Sequence, residues 1–213
     1  SCYDSYDDSQ LSHLLDWADV VCIGCGLGMG QISEKILKNV LKNVSCPCVI
    51  DADGLNLLSR NIELLNQCCA PVILTPHMKE MSRLTGWSID TIMEDRFQAL
   101  DQIIKQSGPD TKSSIICVLK DSRTVVAQTN RQKFVNLAGN NSMAKGGSGD
   151  VLAGTIAGLL AQHMAPFEAT TVGVFLHACG GDEAKKSKGS YSVLARDLIH
   201  GMADAMKNAK ECR

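Results

Sequence analysis

The sequence contains no apolar run near twenty residues, which excludes a membrane-spanning helix. Its opening segment, Ser1 to Asp8, lacks the basic and apolar regions of a signal peptide, so a soluble, cytoplasmic chain is expected. Charge of one sign is also lacking. With 21 basic against 23 acidic residues, the net charge of −2 offers no bulk attraction to nucleic acid or to an anionic membrane. No Gly-Lys-Ser or Gly-Lys-Thr follows any glycine cluster, which rules out a Walker-type phosphate loop. The glycine-rich segment Gly24 to Gly30 lacks the dinucleotide-binding spacing as well: counted from Gly24 the third glycine falls at Met29, and from Gly26 at Gln31. Any nucleotide is therefore held by another design.

Cysteine is plentiful, but a zinc framework is not. Among ten cysteines, Cys22 and Cys25 are spaced C-x-x-C, Cys46 and Cys48 flank a proline, and Cys68 and Cys69 are adjacent. A structural zinc site needs two pairs brought together, usually with histidine at short spacing, and none of the five histidines is so placed. The cysteines are expected to be free thiols in a reducing compartment.

What is present is a globular composition. At 213 residues with 45% hydrophobic content, and with no linker, repeat or low-complexity tract, one domain over 1–213 is the economical reading. Short apolar runs alternate with helical stretches, the pattern of a mostly parallel sheet with crossover helices. Strands are expected at Val20–Ile23, Cys48–Asp51, Val72–Leu74, Ser114–Leu119, Thr124–Ala127 and Lys133–Val135. Helices are expected at Ser9–Trp17, Ser33–Leu41, Pro76–Thr85, Ile89–Gln106, Gly149–Gln162, Phe167–Lys185 and Ala195–Ala209.

The stretch Asn140 to Asp150, running into the apolar segment Val151 to Leu160, carries the most chemistry. Gly146, Gly147 and Gly149 let main-chain N–H groups approach a phosphate, and the following helix points its positive end at the same spot. Asp150 would repel a phosphate, but suits a base that removes a proton from a hydroxyl while the amides hold a phosphoryl group in transfer. Three further loops follow strands and should converge with it: Gly24 to Gly30, Asp51 to Asn56, and Thr75 to Glu80. Lys120-Asp121-Ser122-Arg123-Thr124 brings a cation and hydroxyls to the same edge. Taken singly, His77 reads as a polar helix cap, Glu80 as a first-turn acid, and Asp53 and Asn56 as turn residues.

In order along the chain, Ile23 to Gly28, Ile50 to Asn56, Leu74 to His77, Leu119-Lys120 and Met143 to Leu152 resemble the ADP- or ATP-dependent NAD(P)H-hydrate dehydratases. His177 to Asp182 and Ala195 to Leu198 are similar to the closing segment of that family. The resemblance implies a ribokinase-like three-layer α/β/α sandwich with a mostly parallel sheet. It also implies an enzyme that returns NADHX and NADPHX to NADH and NADPH at the expense of ADP or ATP, releasing phosphate. By that resemblance Asp150 is the base, and Gly26, His77 and Asp150 contact the hydrated cofactor. Lys120, Asp121, Ser122, Arg123, Thr124, Gly146, Gly147 and Gly149 line the nucleotide site, and Glu80 helps organise Mg²⁺ through water. A homo-oligomer, a tetramer in the family, is implied too. The other readings are a ribokinase-like kinase of a small alcohol or vitamin precursor, and a nucleotide-binding protein without turnover.

Two residues depart from the family pattern. Cys25 replaces a usual proline, and Asp121 replaces a usual glycine, where a carboxylate is unfavourable beside phosphate unless it points away or meets the metal. The family normally has further strand–helix units before the position of Val20, so the chain is expected to be N-terminally incomplete relative to it.

Overall fold

The computed structural model describes residues 6–105, 114–129 and 133–211. Cys2, Cys212 and the expected helix end at Gln106 lie outside the described residues. Six strands form one sheet in the order of the chain: β1 (Val21–Ile23), β2 (Cys48–Ile50), β3 (Val72–Leu74), β4 (Ile115–Leu119), β5 (Val125–Gln128) and β6 (Phe134–Val135). The first four are parallel, with Ile23 beside Ile50, Ile50 beside Leu74, and Leu74 beside Cys117. β5 and β6 are antiparallel additions at one edge.

The helices are α1 (Asp8–Trp17), α2 (Gln31–Asn43), α3 (Asp53–Leu58), α4 (Met78–Thr85), α5 (Ile89–Glu94), α6 (Arg96–Ile104), α7 (Ser148–Ala161), α8 (Pro166–Lys188) and α9 (Ala195–Glu211). Each crossover from β1 to β4 advances one strand in the same direction. With a single handedness of crossover, every connecting helix must fall on one face of the sheet. That face is built from Ile50, Leu74, Cys117 and Leu119, packed against α2, α3, α4 and α6 through residues such as Leu41, Leu55, Met81 and Leu100. The alternate strand residues Val49, Ile73, Ile116 and Val118 point the other way and meet Leu152, Ile156 and Val174 of α7 and α8. The strands are buried on both faces, as their near-continuous apolar runs require, and the α/β/α sandwich follows.

Three boundaries differ from the periodicity. The stretch expected as one helix from Ile89 is broken at Asp95, which leaves helical geometry at φ −142 and caps α6 by accepting from Gln98 N at 2.9 Å. The helix expected from Pro76 begins at Met78, because Pro76 O accepts from Lys120 N at 2.8 Å and keeps the chain extended beside β4. A short helix, α3, also occupies the segment read as turns around Asp53 and Asn56.

One glycine sets the spacing of the loops above β1 and β2. Gly24 has φ +122, and a Cβ there would stand 1.8 Å from Asp51 O. Gly24→Ala is expected to destabilise the fold by about 3–5 kcal/mol, from backbone strain and overpacking combined. Gly26, at φ +72 with nothing within 4 Å of its Cβ position, should cost only about 1–2 kcal/mol on the same change. Urea midpoints of the two variants check the contrast.

Candidate active site

The carboxyl ends of β1 to β4 lie along one edge of the sheet, and four of the expected loops start there. Gly24 to Gly28 follow β1, Asp51 follows β2, His77 comes after β3, and Lys120 follows β4, where a parallel bridge between His77 and Lys120 continues the pairing. α7 crosses the opposite face against β1 and β2 and brings its first turn to this edge. Its N-cap Gly147 has φ +86, a left-handed geometry that glycine adopts without strain, and among the described residues no side chain caps the helix. The N–H groups of Gly149 and Asp150 have no protein acceptor among the described residues. Gly146 is exposed, with nothing within 4 Å of its Cβ position. Open donors, a helix N-terminus and space beside them are the features an anion hole requires.

Charge around this hole is arranged by Asp51 and Lys120. Lys120 Nζ bonds Asp51 Oδ1 at 2.7 Å, and the Asp51 side chain is only 2% exposed. The pair lies directly under α7: a Cβ on Gly149 would be 3.2 Å from Lys120 Nζ and 3.4 Å from Asp51 Oδ2. A side chain there would crowd the ion pair, so glycine lets the helix start sit close to it. Asp150 is exposed at the third position of α7, and an oxygen of its carboxylate, an oxygen of Asp51 and Cys25 Sγ all lie within 4.8 Å of one another. Partial desolvation of this otherwise exposed residue, followed by the nearby Asp150 carboxylate, pushes the Cys25 thiol up to about 12. It is a protonated thiol beside two carboxylates.

His77 and Glu80 are a capping pair. His77 Nδ1 accepts from Lys79 N and Glu80 N at 3.1 and 3.2 Å, and Glu80 Oε2 accepts from His77 N at 2.9 Å. This orientation leaves the other ring nitrogen, Nε2, to carry the proton of the neutral imidazole; it lies 3.5 Å from Glu80 Oε1. The Glu80 carboxyl is 5% exposed, and burial raises it above the usual range. Both of its oxygens face His77.

The segment after β4 settles the question raised by Asp121. Its carboxylate turns away to Arg96 of α6, with Nη2 to Oδ2 at 2.7 Å, so the extra negative charge is met by a guanidinium. Thr124 Oγ1 donates to Asp121 O at 3.4 Å and Arg123 donates to Leu137 O at 2.9 Å, while Ser122 is exposed. Gly26 is exposed in the loop after β1, whose turn is held by Gly28 N donating to Asp53 Oδ2 at 2.8 Å.

A layer behind the hole escapes sequence reasoning. Ser148 Oγ lies 3.3 Å from His177 Nε2, a histidine of α8 that is 7% exposed. Asp182 accepts from Gly139 N and Asn140 Nδ2 at 3.0 and 2.7 Å, fixing the entry to the glycine loop. These pairs are 29 to 43 residues apart, and local pattern carries no sign of them. Burial lowers His177 from its usual 6.5 to about 4. Between those values the unfolded chain binds a proton that the folded chain refuses. The contribution is full above about 6.5 and lost as pH falls toward 4, by roughly 3 kcal/mol. His177→Gln should flatten that part of a pH series of urea unfolding curves.

The eight described cysteines are all free thiols. Among the described residues no helix is long and apolar enough to cross a membrane.

The chain is similar to known proteins over nearly its whole length. A family model described as NAD(P)H-hydrate dehydratase matches residues 2–203. The bifunctional NAD(P)H-hydrate repair enzyme Nnr of Moorella thermoacetica is 37% identical over 204 residues, covering 96% of this chain and 37% of that protein. The ADP-dependent (S)-NAD(P)H-hydrate dehydratase of Neisseria meningitidis is 39% identical over 189 residues, covering 87% of this chain and 62% of its own length. The chain thus spans between about a third and two thirds of these curated relatives. Among solved structures, the ADP/ATP-dependent NAD(P)H-hydrate dehydratase of Bacillus subtilis, co-crystallised with ATP/Mg²⁺ and soaked with CoA, superposes with a TM-score of 0.78 at 28% identity. That match covers 93% of this chain and 71% of that one. Arabidopsis thaliana ribokinase, at 18% identity and a TM-score of 0.60, shares the fold, which is ribokinase-like.

Proposed function

Because the chain belongs to the NAD(P)H-hydrate dehydratase family, we propose that it restores hydrated NADH and NADPH by a nucleotide-dependent dehydration. The observation that carries this reading is the placement of Asp150 at the uncapped start of α7, against open backbone donors and the Lys120–Asp51 pair. A carboxylate at an anion hole has little use in simple phosphate binding, but it is what a phosphoryl transfer to a hydroxyl requires.

Asp150 takes the proton of the ring hydroxyl as its oxygen attacks the terminal phosphoryl group of ADP or ATP. The amides of Gly149 and Asp150 hold the charge that develops on that group, the Ser148 N–H being bonded to Lys145 O, and AMP or ADP leaves. The hydroxyl has then become a phosphate ester. Departure of phosphate, with a proton from the adjacent ring carbon, restores the dihydronicotinamide. Gly26 and His77 border the hydrated cofactor; Lys120 to Thr124, with Gly146, Gly147 and Gly149, border the nucleotide.

Mg²⁺ takes oxygen ligands and keeps much of its water. A metal carried in on the nucleotide phosphates would have Glu80 as the acid that helps organise its water shell. Such a metal supplies neutralisation of phosphate charge. Cytoplasmic residence and a homo-oligomer of the family type belong to the same reading.

Mixing the protein with NADHX, Mg²⁺ and, separately, ADP or ATP should restore the NADH absorbance band with one donor or both, with release of inorganic phosphate. A stable phosphorylated product without NADH would instead identify a kinase of a small alcohol. Nucleotide binding with neither product would identify a binding protein without turnover.

A further inference from the structure

The Cys25 thiol, the Asp51 carboxylate and the Asp150 carboxylate come from three separate elements: the loop after β1, the end of β2 and the first turn of α7. One sulfur and two oxygens lie within 4.8 Å of one another. Zinc bonds of about 2.3 Å to sulfur and about 2.0–2.2 Å to oxygen place tetrahedral ligands roughly 3.3–3.8 Å apart, so small side-chain movements close the set around one ion. We propose that Cys25, Asp51 and Asp150 form an inhibitory site for a thiophilic divalent cation of the zinc class. Cys25 and Asp150 are both exposed, so a fourth position would be open to water.

Three features of the molecule support this assignment. First, the cluster is built on fixed backbone, because the close approach of Gly24 to Asp51 O holds the loop carrying Cys25 against the end of β2. Second, the Asp51 side chain is 2% exposed and spends only Oδ1 on Lys120, while Oδ2 faces the Gly149 side, where Asp150 begins. A buried carboxylate therefore presents one oxygen to the cluster. Third, the charge balance leaves room for a dication. Two carboxylates outweigh Lys120 and the partial positive charge of the α7 N-terminus, and a zinc-class ion makes up the difference while displacing the proton of the neutral thiol to solvent.

The sulfur sets the selectivity: thiolate favours zinc-class ions, whereas Mg²⁺ demands oxygen ligands and would leave Cys25 aside. A chain with the family's usual proline at this position has no such donor. Binding takes an oxygen of Asp150, so the effect on activity rests on the role of Asp150 proposed above, whereas binding itself does not.

Cobalt(II) is a direct probe, because a thiolate ligand gives it an ultraviolet sulfur-to-metal charge-transfer band. One equivalent added to the reduced protein should produce that band, and zinc should abolish it by displacement. Cys25→Ala should lose the band and weaken zinc binding, measured by competition, by at least about tenfold. Cys25→Ser, which keeps the volume, guards against an effect of misfolding and should behave alike. In turnover, zinc should inhibit the parent protein, reversibly with a zinc-selective chelator, and inhibit Cys25→Ala far less relative to that variant's own zinc-free rate. A band or an inhibition that survives both substitutions assigns the metal to other thiols and overturns the proposal. Absence of any band in a protein that turns over overturns it equally. A Cys25-dependent band in a protein that does not regenerate NADH upholds the metal site and removes the dehydratase reading alone.

Discussion

Asp150→Asn is expected to lower NADH regeneration about a thousandfold while leaving nucleotide binding and folding close to those of the parent chain. The amide keeps the size of the carboxylate and its place at the third position of α7, so the backbone donors at Gly149 and Asp150 stay where they are. What is lost is a group able to accept the hydroxyl proton. Removing a negative charge from the mouth of the hole also relieves repulsion of phosphate, so nucleotide affinity should hold or rise. Single-turnover absorbance and a nucleotide titration by calorimetry separate the two effects. Turnover within a factor of a few of the parent rate would remove Asp150 from its role as base, and loss of nucleotide affinity would point to a collapsed loop.

Lys120→Met should cost about 3–5 kcal/mol of stability, as much as Gly24→Ala, because it leaves Asp51 charged, 2% exposed and without its cation. The methionine keeps much of the lysine stem's volume, so the loss comes from the orphaned carboxylate and not from a cavity. The double variant Lys120→Met with Asp51→Asn should recover a large part of it, since an amide is far cheaper to bury than an unpaired charge. Urea unfolding of the parent, both single variants and the double variant forms a cycle that reads the coupling. If Lys120→Met costs less than about 1 kcal/mol, solvent reaches Asp51 and the ion pair is not a structural element of the edge. The same substitution removes a cation from beside α7, so turnover should fall with stability.

The two departures from the family pattern illustrate how far residue type alone carries an argument. An acid at Asp121 looks hostile to a nucleotide, yet its charge is spent on Arg96, which lies 25 residues earlier on α6. The thiol at Cys25 looks like one free cysteine among many, yet it stands within 4.8 Å of carboxylate oxygens of Asp150 and Asp51. Neither neighbour can be read from spacing. His77 and Glu80 stand at the opposite extreme: their three-residue spacing already describes a capping pair, and the structure forms it.

The sequence by itself determined the alternation of short apolar runs with helical stretches, the glycine segments at which strands give way to helices, and the order of the motifs that mark the family. These are written in residues within one helical turn or one strand of each other, where backbone preference and periodic burial act. It misplaced the start of α4 and the break at Asp95, because a carbonyl bonded across to Lys120 and a capping carboxylate outweighed helical propensity there. Tertiary structure decided the rest: Lys120 bonded to Asp51 across 69 residues, Ser148 held by His177, and a thiol set beside the proposed base. Those contacts exist because parallel strands align their carboxyl ends and α7 returns over the opposite face to meet them. That crossing depends on the path of the whole chain, and no local stretch of residues encodes it.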